Sequence, residues 1–213
     1  MKDLEALSNK AIFRIIISPS SRTLIDILSK APCNLKDLRE IYRQAREGIT
    51  TSFGQVTTGL SQLYKHRIIS IEEITDQEDQ ESDSKNTDLE VSLRRPEFGN
   101  YPAKVMDQFS PSGTPPYKLF RFLIYLLDNP KTPRQIKTDW NKKVDPSTIK
   151  KSWPNWIDHK KYGPYVLSDQ GAIDTRTVKE FLESIAKYNI SEHNLNPMST
   201  ELSERVDRIL KST

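Results

Sequence analysis

The chain contains little cysteine, histidine and glycine, and each shortage excludes a kind of site. Its 213 residues include one cysteine (Cys33), three histidines and seven glycines. One cysteine forms no internal disulfide and no multi-thiolate zinc or iron–sulfur site, and no histidine has an acidic or thiol partner at metal-ligand spacing. No glycine-rich phosphate loop, nucleophile elbow or two-histidine helical motif occurs. We therefore expect no enzyme, no cofactor and no metal site.

Long apolar runs are also missing from the sequence. The block AIFRIIIS near the start contains Arg14 and is far shorter than the stretch of about 20 apolar residues that spans a membrane. The sequence thus predicts no membrane partner. With a single cysteine, a reducing, cytoplasmic location is the simplest expectation.

Charges of opposite sign occupy different parts of the chain. The net charge is only +3, but residues 76–90, DQEDQESDSKNTDLE, hold seven acidic residues and one lysine. Residues 118–161 instead hold 11 basic and 4 acidic residues. Clustered cations indicate a polyanion as partner, and a lysine-rich surface that contacts only solvent is the alternative interpretation. The acidic segment lacks the spacing of a calcium loop and is interpreted as an unstructured charged loop.

Apolar periodicity predicts three helices in the first fifty residues. A leading helix over residues 4–17 is followed by a short helix within SPSSRTLIDILSKAP, where serines supply the cap and a proline ends the helix. Asn34 caps the next helix. Its expected buried stripe consists of Leu35, Leu38, Ile41 and Tyr42.

A fourth helix within TTSFGQVTTGLSQLYKH has two distinct faces. The apolar face, which we expect to be buried, consists of Phe53, Val56, Leu60 and Leu63. The opposite face carries hydrogen-bonding or charged side chains, namely Thr51, Gln55, Thr58, Gln62 and Lys65. Two β-branched runs, RIISIEEIT and LEVSLRR, lie on either side of the acidic segment and predict a β-hairpin.

The second half repeats this order of elements. YKLFRFLIYLLDNP is apolar almost all round and predicts a central helix. Thr132 with Pro133, and then Asp145 with Pro146, mark the starts of two shorter helices. The chain continues through the strand-like YVLSDQG into an amphipathic helix, TRTVKEFLESIAKY. A polar spacer leads to a last helix, ELSERVDRILKS, which either packs on the body or pairs with a second copy.

The stretch WNKKVDPSTIKKSWPNW places lysines beside two tryptophans. Helical spacing relates Ile149 to Trp153 and to either Trp156 or Ile157, so we expect these side chains to complete a small core, with a protein-binding anchor as the alternative. Pro154 is expected to kink or end the helix. The other side of the helix faces water or phosphate.

These elements resemble the winged helix-turn-helix family, in two tandem copies. TSFGQVTTGLSQLYKHRIISIEE is similar to that family's third helix and first wing strand, and YVLSDQG is similar to the segment where the wing strand enters a C-terminal helix. The resemblance implies a mainly α fold with small β-hairpins (α+β), formed by tandem winged helix-turn-helix domains plus a C-terminal helix. The long acidic loop departs from the family, because a wing that faces DNA is normally short and basic.

The composition shifts and the resemblance together predict four segments. Residues 1–95 form a first winged-helix domain with a long acidic wing loop at 76–88, and residues 96–116 form a proline-rich linker. Residues 117–189 form a second winged-helix domain. Residues 190–213 form a spacer and a C-terminal helix.

The resemblance and the clustered cations imply a DNA-binding protein, a transcriptional regulator or chromatin-type factor that binds double-stranded DNA and is nucleoid-associated when bound. Cations would neutralise phosphates, and threonine and glutamine side chains would contact bases. The alternative is a protein–protein scaffold or adaptor, as in RNA polymerase factors or chromosome-organising complexes, with a protein partner or a homodimer formed through the C-terminal helix. The predicted DNA-binding residues are Thr51, Gln55, Thr58, Gln62, Lys65, Lys142, Lys143, Ser147, Thr148, Lys150, Lys151, Lys160 and Lys161.

Overall fold

The protein is mainly helical and has two small antiparallel sheets, which agrees with the predicted α+β class. A computed structural model describes residues 10–46, 53–74, 88–109, 116–140, 145–152, 154–161, 163–186 and 195–212. The chain divides into two compact units, each formed by two separate stretches. The first unit is Ser18–Ala103 with Tyr188–Thr213, and the second unit is Met1–Ile17 with Lys104–Lys187.

The described helices and strands are numbered in chain order. The helices are α1 Lys10–Ile17, α2 Pro19–Leu28, α3 Leu35–Ala45, α4 Phe53–Lys65, α5 Ala103–Gln108, α6 Pro116–Asp128, α7 Pro133–Asp139, α8 Pro146–Ser152, α9 Asp169–Ala186 and α10 Thr200–Ser212. The strands are β1 Cys33–Asn34, β2 Ile69–Ile74, β3 Asp88–Leu93, β4 Ile157–His159 and β5 Tyr165–Leu167, and a 3₁₀ helix covers Pro96–Asn100.

Helices α2, α3 and α4 surround the core of the first unit. The Asn34 side chain caps α3 as predicted, since its Oδ1 accepts a hydrogen bond from the backbone N–H of Lys36. Helix α4 approaches α2 closely at Gly59, where an added Cβ would lie 2.7 Å from the Cδ1 atom of Leu24. The predicted apolar face of α4 is confirmed, because Val56, Leu60 and Leu63 are buried and Phe53 is half-buried.

Strands β1, β2 and β3 form an antiparallel sheet in which β3 lies between the other two. Strands β2 and β3 pair along their whole lengths, so the predicted hairpin is confirmed. The alternation of side chains places the paired residues Ile71 and Val91 in the core and leaves Glu72 and Glu90 opposite each other at the surface.

Helix α10 packs on α3 and α4 of the first unit. Its side chains Val206 and Leu210 are buried, and Arg205 forms an ion pair with Glu73 of β2. Arg39 of α3 donates a hydrogen bond to the carbonyl oxygen of Leu210 at 3.0 Å. Of the two arrangements predicted for the last helix, the structure therefore has the one in which the helix packs on the body.

The second unit contains α6, α7 and α8, then the hairpin β4–β5, then α9. Thr132 and Gln135 form a capping box at the start of α7, where the cap was predicted. Immediately before it, Lys131 forms an antiparallel bridge with Tyr165 of β5. Lys131 thus lies next to β5 as β1 lies next to β3, and the order helix, short extended segment, two helices, hairpin occurs in both units, from α2 in the first and from α6 in the second.

Aromatic side chains fill the core of the second unit. Phe13 of α1 stacks on Phe120 of α6 with 5.3 Å between ring centroids, and it meets Phe109 edge-on at 6.0 Å. Phe109 in turn contacts Trp156 at 5.0 Å. This cluster provides the apolar area that a unit of this size needs for stability.

Trp156 is buried, as predicted for a core tryptophan. Its indole N–H donates a hydrogen bond to the buried carboxylate of Asp174 at 2.9 Å, and Gln170 donates another at 2.8 Å. Helix α9 passes so close to this tryptophan that a Cβ at Gly171 would lie 2.3 Å from the Trp156 carbonyl oxygen. Trp153 lies outside the described residues.

The units differ from the predicted domain boundaries in two places. Helix α1 belongs to the second unit rather than to a domain spanning 1–95, because Phe13 is 1% exposed within that unit's aromatic cluster. Helix α10 belongs to the first unit rather than to a separate tail. Segment 96–116 is folded where it is described, with Phe98 and Tyr101 buried in the first unit and Phe109 in the second.

Two local predictions are wrong, those for Ile41 and for the start of α9. Ile41 is 38% exposed, since Leu35, Leu38 and Tyr42 alone cover the buried side of α3. Helix α8 ends at Ser152, ahead of Pro154, as the proline predicts, and Ile157 is buried as expected, although it lies on β4 and not on a helix. Helix α9 begins at Asp169, earlier than predicted, where the Ser168 hydroxyl accepts a hydrogen bond from the N–H of Gly171. Among the described residues, no helix is both long and apolar enough to cross a membrane.

Candidate nucleic-acid interface

In the second unit, one hydrogen bond connects two pairs of lysines that were predicted to bind DNA. Lys150 of α8 donates from Nζ to the carbonyl oxygen of His159, the last residue of β4, at 3.1 Å. Lys160 and Lys161 follow directly and are exposed, as is Lys151. A turn closes there, in which the N–H of Gly163 donates to the carbonyl oxygen of Lys160. We call Lys150, Lys151, Lys160 and Lys161 the lysine cluster.

Asp145 precedes α8 and holds the hydroxyl groups of two predicted contact residues. Its Oδ1 accepts hydrogen bonds from the backbone N–H and the hydroxyl of Ser147, and its Oδ2 accepts one from the hydroxyl of Thr148. The side-chain hydrogen bonds from Ser147 and Thr148 hold the pKa of Asp145 below its ordinary value, because they favour the ionised form. Ser147 and Thr148 are exposed as predicted, but their hydroxyl protons are engaged by this carboxylate and not free for phosphate.

His159 and Tyr165 stiffen the hairpin that carries the turn. They are cross-strand partners, and their rings stack with 4.0 Å between centroids and 12° between planes. The backbone of Tyr165 also exchanges two hydrogen bonds with Lys131. Burial raises the pKa of Tyr165, and the negative charge of Asp145 raises it further. His159 is half-buried because strand pairing, which no local motif indicates, places it against Tyr165.

The two units have opposite charge. The second unit contains 18 lysines and arginines and 11 acidic residues, whereas the first contains 14 and 18. Their net charges are therefore +7 and −4. Net charge alone thus favours the second unit over the first as a surface for a polyanion, and the long acidic segment belongs to the first.

The predicted contact face of α4 is only partly presented to solvent. Thr58 and Gln62 are exposed, so their side chains are accessible as expected. Gln55 is half-buried, and its Oε1 is shielded from solvent and meets no donor within the described residues. Lys65 is half-buried at the end of the helix, where its carbonyl oxygen accepts a hydrogen bond from the N–H of Asn196.

Three predicted contact residues, Thr51, Lys142 and Lys143, lie outside the described residues. Sequence reasoning in turn missed a cation beside α4. Lys211 of α10 places its Nζ 5.3 Å from the ring centroid of Phe53, the first residue of α4. Their separation of more than 150 residues along the chain leaves no local signal for this pairing.

In the part of the chain that the structure describes, no cluster of three or more His, Cys, Asp or Glu side chains is suited to hold a metal ion. Comparison of the chain with models of protein families, with curated proteins and with solved structures finds no match. Geometry and charge are therefore the basis for assigning a function.

Proposed function

We propose that this chain is a DNA-binding protein with tandem winged helices, acting as a transcriptional regulator or chromatin-type factor. The observation that carries the proposal is the hydrogen bond from Lys150 to the carbonyl oxygen of His159. It joins α8, the third helix counted from α6, to a short turn that begins with Lys160 and Lys161. A third helix beside a short basic wing is the combination that the resemblance to winged helices associates with duplex DNA.

Strand order supports the same proposal. In each unit a helix is followed by a short extended segment, two helices and a hairpin, and the short segment pairs with the last strand of the hairpin. This is the arrangement expected of a winged helix. In the second unit only a few residues connect β4 to β5, and a short connection of this kind suits a wing that contacts phosphates.

The mechanism of binding would be neutralisation of DNA phosphates by the lysine cluster, with release of condensed counterions. Log affinity is then expected to fall with log salt concentration by about 0.9 for each phosphate neutralised. Base contacts would come from exposed polar side chains such as Thr58 and Gln62 of α4. Because the first unit carries net negative charge, we assign most of the affinity to the second unit.

Charge reversal of the lysine cluster tests this function. The variant Lys150→Glu/Lys151→Glu should weaken binding to a 20-base-pair duplex by roughly tenfold or more at low salt. Arg176→Glu/Lys179→Glu on α9 is the matched control, since it changes the charge of the same unit by the same amount. An equal loss of affinity in both variants would contradict a localised interface.

A second candidate function, a protein–protein scaffold, is favoured by the first unit. Its net charge of −4 and its exposed Glu72 and Glu90, which face each other across the hairpin, suit a basic protein better than DNA. In that case Lys150→Glu/Lys151→Glu should leave a partner complex intact. Light scattering after gel filtration tests the homodimer form of this candidate, and a dimer that dissociates when exposed α10 residues are changed would support it.

A further inference from the structure

A row of aromatic and cationic side chains lies along α6 and α7, apart from the lysine cluster in sequence. Tyr117, Arg121 and Tyr125 recur every four residues on α6 and therefore share one face of that helix. Trp140 follows the end of α7, and Lys131 lies in the connection between the two helices. We call these five residues the aromatic–cation row. The proposed duplex contacts use none of them.

The row is held together by contacts between rings and cations. The guanidinium carbon of Arg121 lies 6.0 Å from the ring centroid of Tyr117 and 5.9 Å from that of Trp140. Lys131 places its Nζ 4.8 Å from the centroid of Tyr125. The rings of Tyr125 and Trp140 meet edge-on with centroids 5.8 Å apart. Each cation is therefore positioned by an aromatic neighbour, which lowers the entropy that it loses when it binds a ligand.

The row remains accessible to solvent, unlike the aromatic core beneath it. Arg121 is exposed, and Tyr117, Tyr125 and Trp140 are half-buried, whereas Phe122, which contacts Tyr125 and Trp140, is fully buried. Packing of an aromatic core does not explain why the exposed guanidinium group of Arg121 lies between the rings of Tyr117 and Trp140. The row thus combines a rigid base with accessible ring edges and cations.

The charge around the row is positive. Residues 116–140 contain five lysines and arginines and two aspartates. One of these, Asp139, accepts a hydrogen bond from the Tyr125 hydroxyl at 2.6 Å. Burial of the ring and that hydrogen bond raise the pKa of Tyr125, so the phenol keeps its proton and donates it in a hydrogen bond to the carboxylate. Within the part of the chain that the structure describes, none of the five cations of this segment forms an ion pair with an acidic side chain.

We propose that the aromatic–cation row binds single-stranded nucleic acid. Unpaired bases expose flat faces that stack on aromatic rings and on guanidinium planes, and their backbone supplies phosphates for Lys131 and Arg121. A duplex keeps its base faces stacked inside the helix and offers them to no side chain. The inference does not depend on the proposed duplex contacts, although together the two sites would suit a junction between paired and unpaired DNA.

The test is fluorescence anisotropy of a labelled 12-nucleotide oligo-dT with the full chain at low salt. Arg121→Ala should weaken binding by roughly tenfold, a typical loss when one base-stacking side chain is removed. Arg121→Lys should lose nearly as much, since lysine keeps the charge but has no plane for stacking. Arg176→Ala, which removes an exposed arginine of α9 that contacts no aromatic ring among the described residues, is the control and should change affinity less than twofold.

A second measurement separates stacking from structural damage. Bound oligo-dT should quench tryptophan fluorescence, and Trp140→Leu should reduce the quenching while circular dichroism and the thermal midpoint stay close to those of the unchanged protein. The proposal is overturned if oligo-dT does not bind, or if Arg121→Ala weakens binding no more than Arg176→Ala does. Quenching by polyglutamate but not by oligo-dT would also overturn it, in favour of an acidic protein partner.

The duplex variant distinguishes the two proposals from each other. Lys150→Glu/Lys151→Glu should lose duplex binding and retain oligo-dT binding within about threefold, because the row is unchanged. Retained oligo-dT binding in a protein that never binds duplex would support the row and end the proposed function. Equal loss of both ligands would show one shared surface and overturn the row as a separate site.

Discussion

Lys150 and the carbonyl group of His159 are joined by a hydrogen bond of 3.1 Å, which ties helix α8 to the end of strand β4. An ammonium group has three N–H donors, so this bond leaves two for a phosphate oxygen. Because His159 directly precedes Lys160 and Lys161, the bond also holds the start of the turn that carries these two lysines close to Lys150. A flexible lysine that is already positioned loses less entropy on binding than a free one, and so contributes more affinity.

Asp145→Asn should tighten binding to duplex DNA. Asparagine caps a helix about as well as aspartate and still accepts a hydrogen bond from Ser147, but it places no negative charge at the start of the helix that carries Lys150. We expect roughly a twofold to fivefold gain at low salt, which disappears as salt screens the charges. Asp145→Ala is the control, because it removes the same charge and also the cap. It should tighten binding similarly and lower the thermal midpoint.

The pH dependence of this effect follows from the direction of the Asp145 pKa shift. The pKa is lowered in the folded protein, so the stability that the carboxylate contributes is present above its unfolded pKa and is lost as the pH falls through its folded pKa. Between pH 5 and pH 8 the carboxylate stays charged. The ratio of the affinities of Asp145→Asn and the unchanged protein should therefore be constant over that range, and a ratio that varies tenfold would contradict this assignment.

Deletion of residues 77–87 should also tighten duplex binding at low salt. The deleted segment contains four acidic residues and one lysine, and we expect its net negative charge to compete with phosphate for the cations. The deletion leaves Thr75 and Asp76 as a two-residue connection between Ile74 and Asp88, which are paired across the hairpin. A full-length variant with those acids changed to asparagine or glutamine is the control and should show the same gain. Unchanged or weaker binding in both variants would rule out competition by this segment.

Gly171→Ala should destabilise the second unit by about 1–3 kcal/mol or more. Alanine normally favours a helix over glycine by about 1 kcal/mol, but here the added Cβ would lie 2.3 Å from a backbone oxygen of Trp156, so the clash decides the sign. Gly99→Ala is the matched control, since among the described residues, apart from its two chain neighbours, nothing lies within 4 Å of its added Cβ, and it should change stability by less than about 0.5 kcal/mol.

Urea unfolding, monitored by circular dichroism and by tryptophan fluorescence, measures the stability of both variants. All three tryptophans belong to the second unit, so the fluorescence transition should shift for Gly171→Ala and stay in place for Gly99→Ala. Equal midpoints for Gly171→Ala and the unchanged protein would mean that α9 moves away from Trp156 at little cost.

Local signals in the sequence predicted the element types well. Asn34 and Thr132 cap helices as their residue types indicate, and the spacing of Val56, Leu60 and Leu63 identified the buried face of α4. These features depend on neighbours within one or two helical turns, which is why periodicity and capping chemistry reveal them.

Contacts between distant parts of the chain could not be predicted in this way. No feature of residues 10–17 indicates that Phe13 packs on Phe109 and Phe120. Likewise, nothing in the sequence around Phe53 or Lys211 indicates that Lys211 lies over the Phe53 ring. The same holds for the candidate site, where the four lysines were identified individually. The hydrogen bond from Lys150 to the end of β4 depends on a hairpin of three-residue strands, too short for an alternating pattern to stand out.

A salt titration of duplex binding tests the central claim most directly, with the unchanged protein and Lys150→Glu/Lys151→Glu measured side by side. We predict a steep fall of log affinity with log salt concentration for the unchanged protein, and a slope shallower by about two for the variant, one for each lost phosphate contact. A flat dependence, or no measurable affinity even at low salt, would contradict duplex DNA as the partner of the lysine cluster.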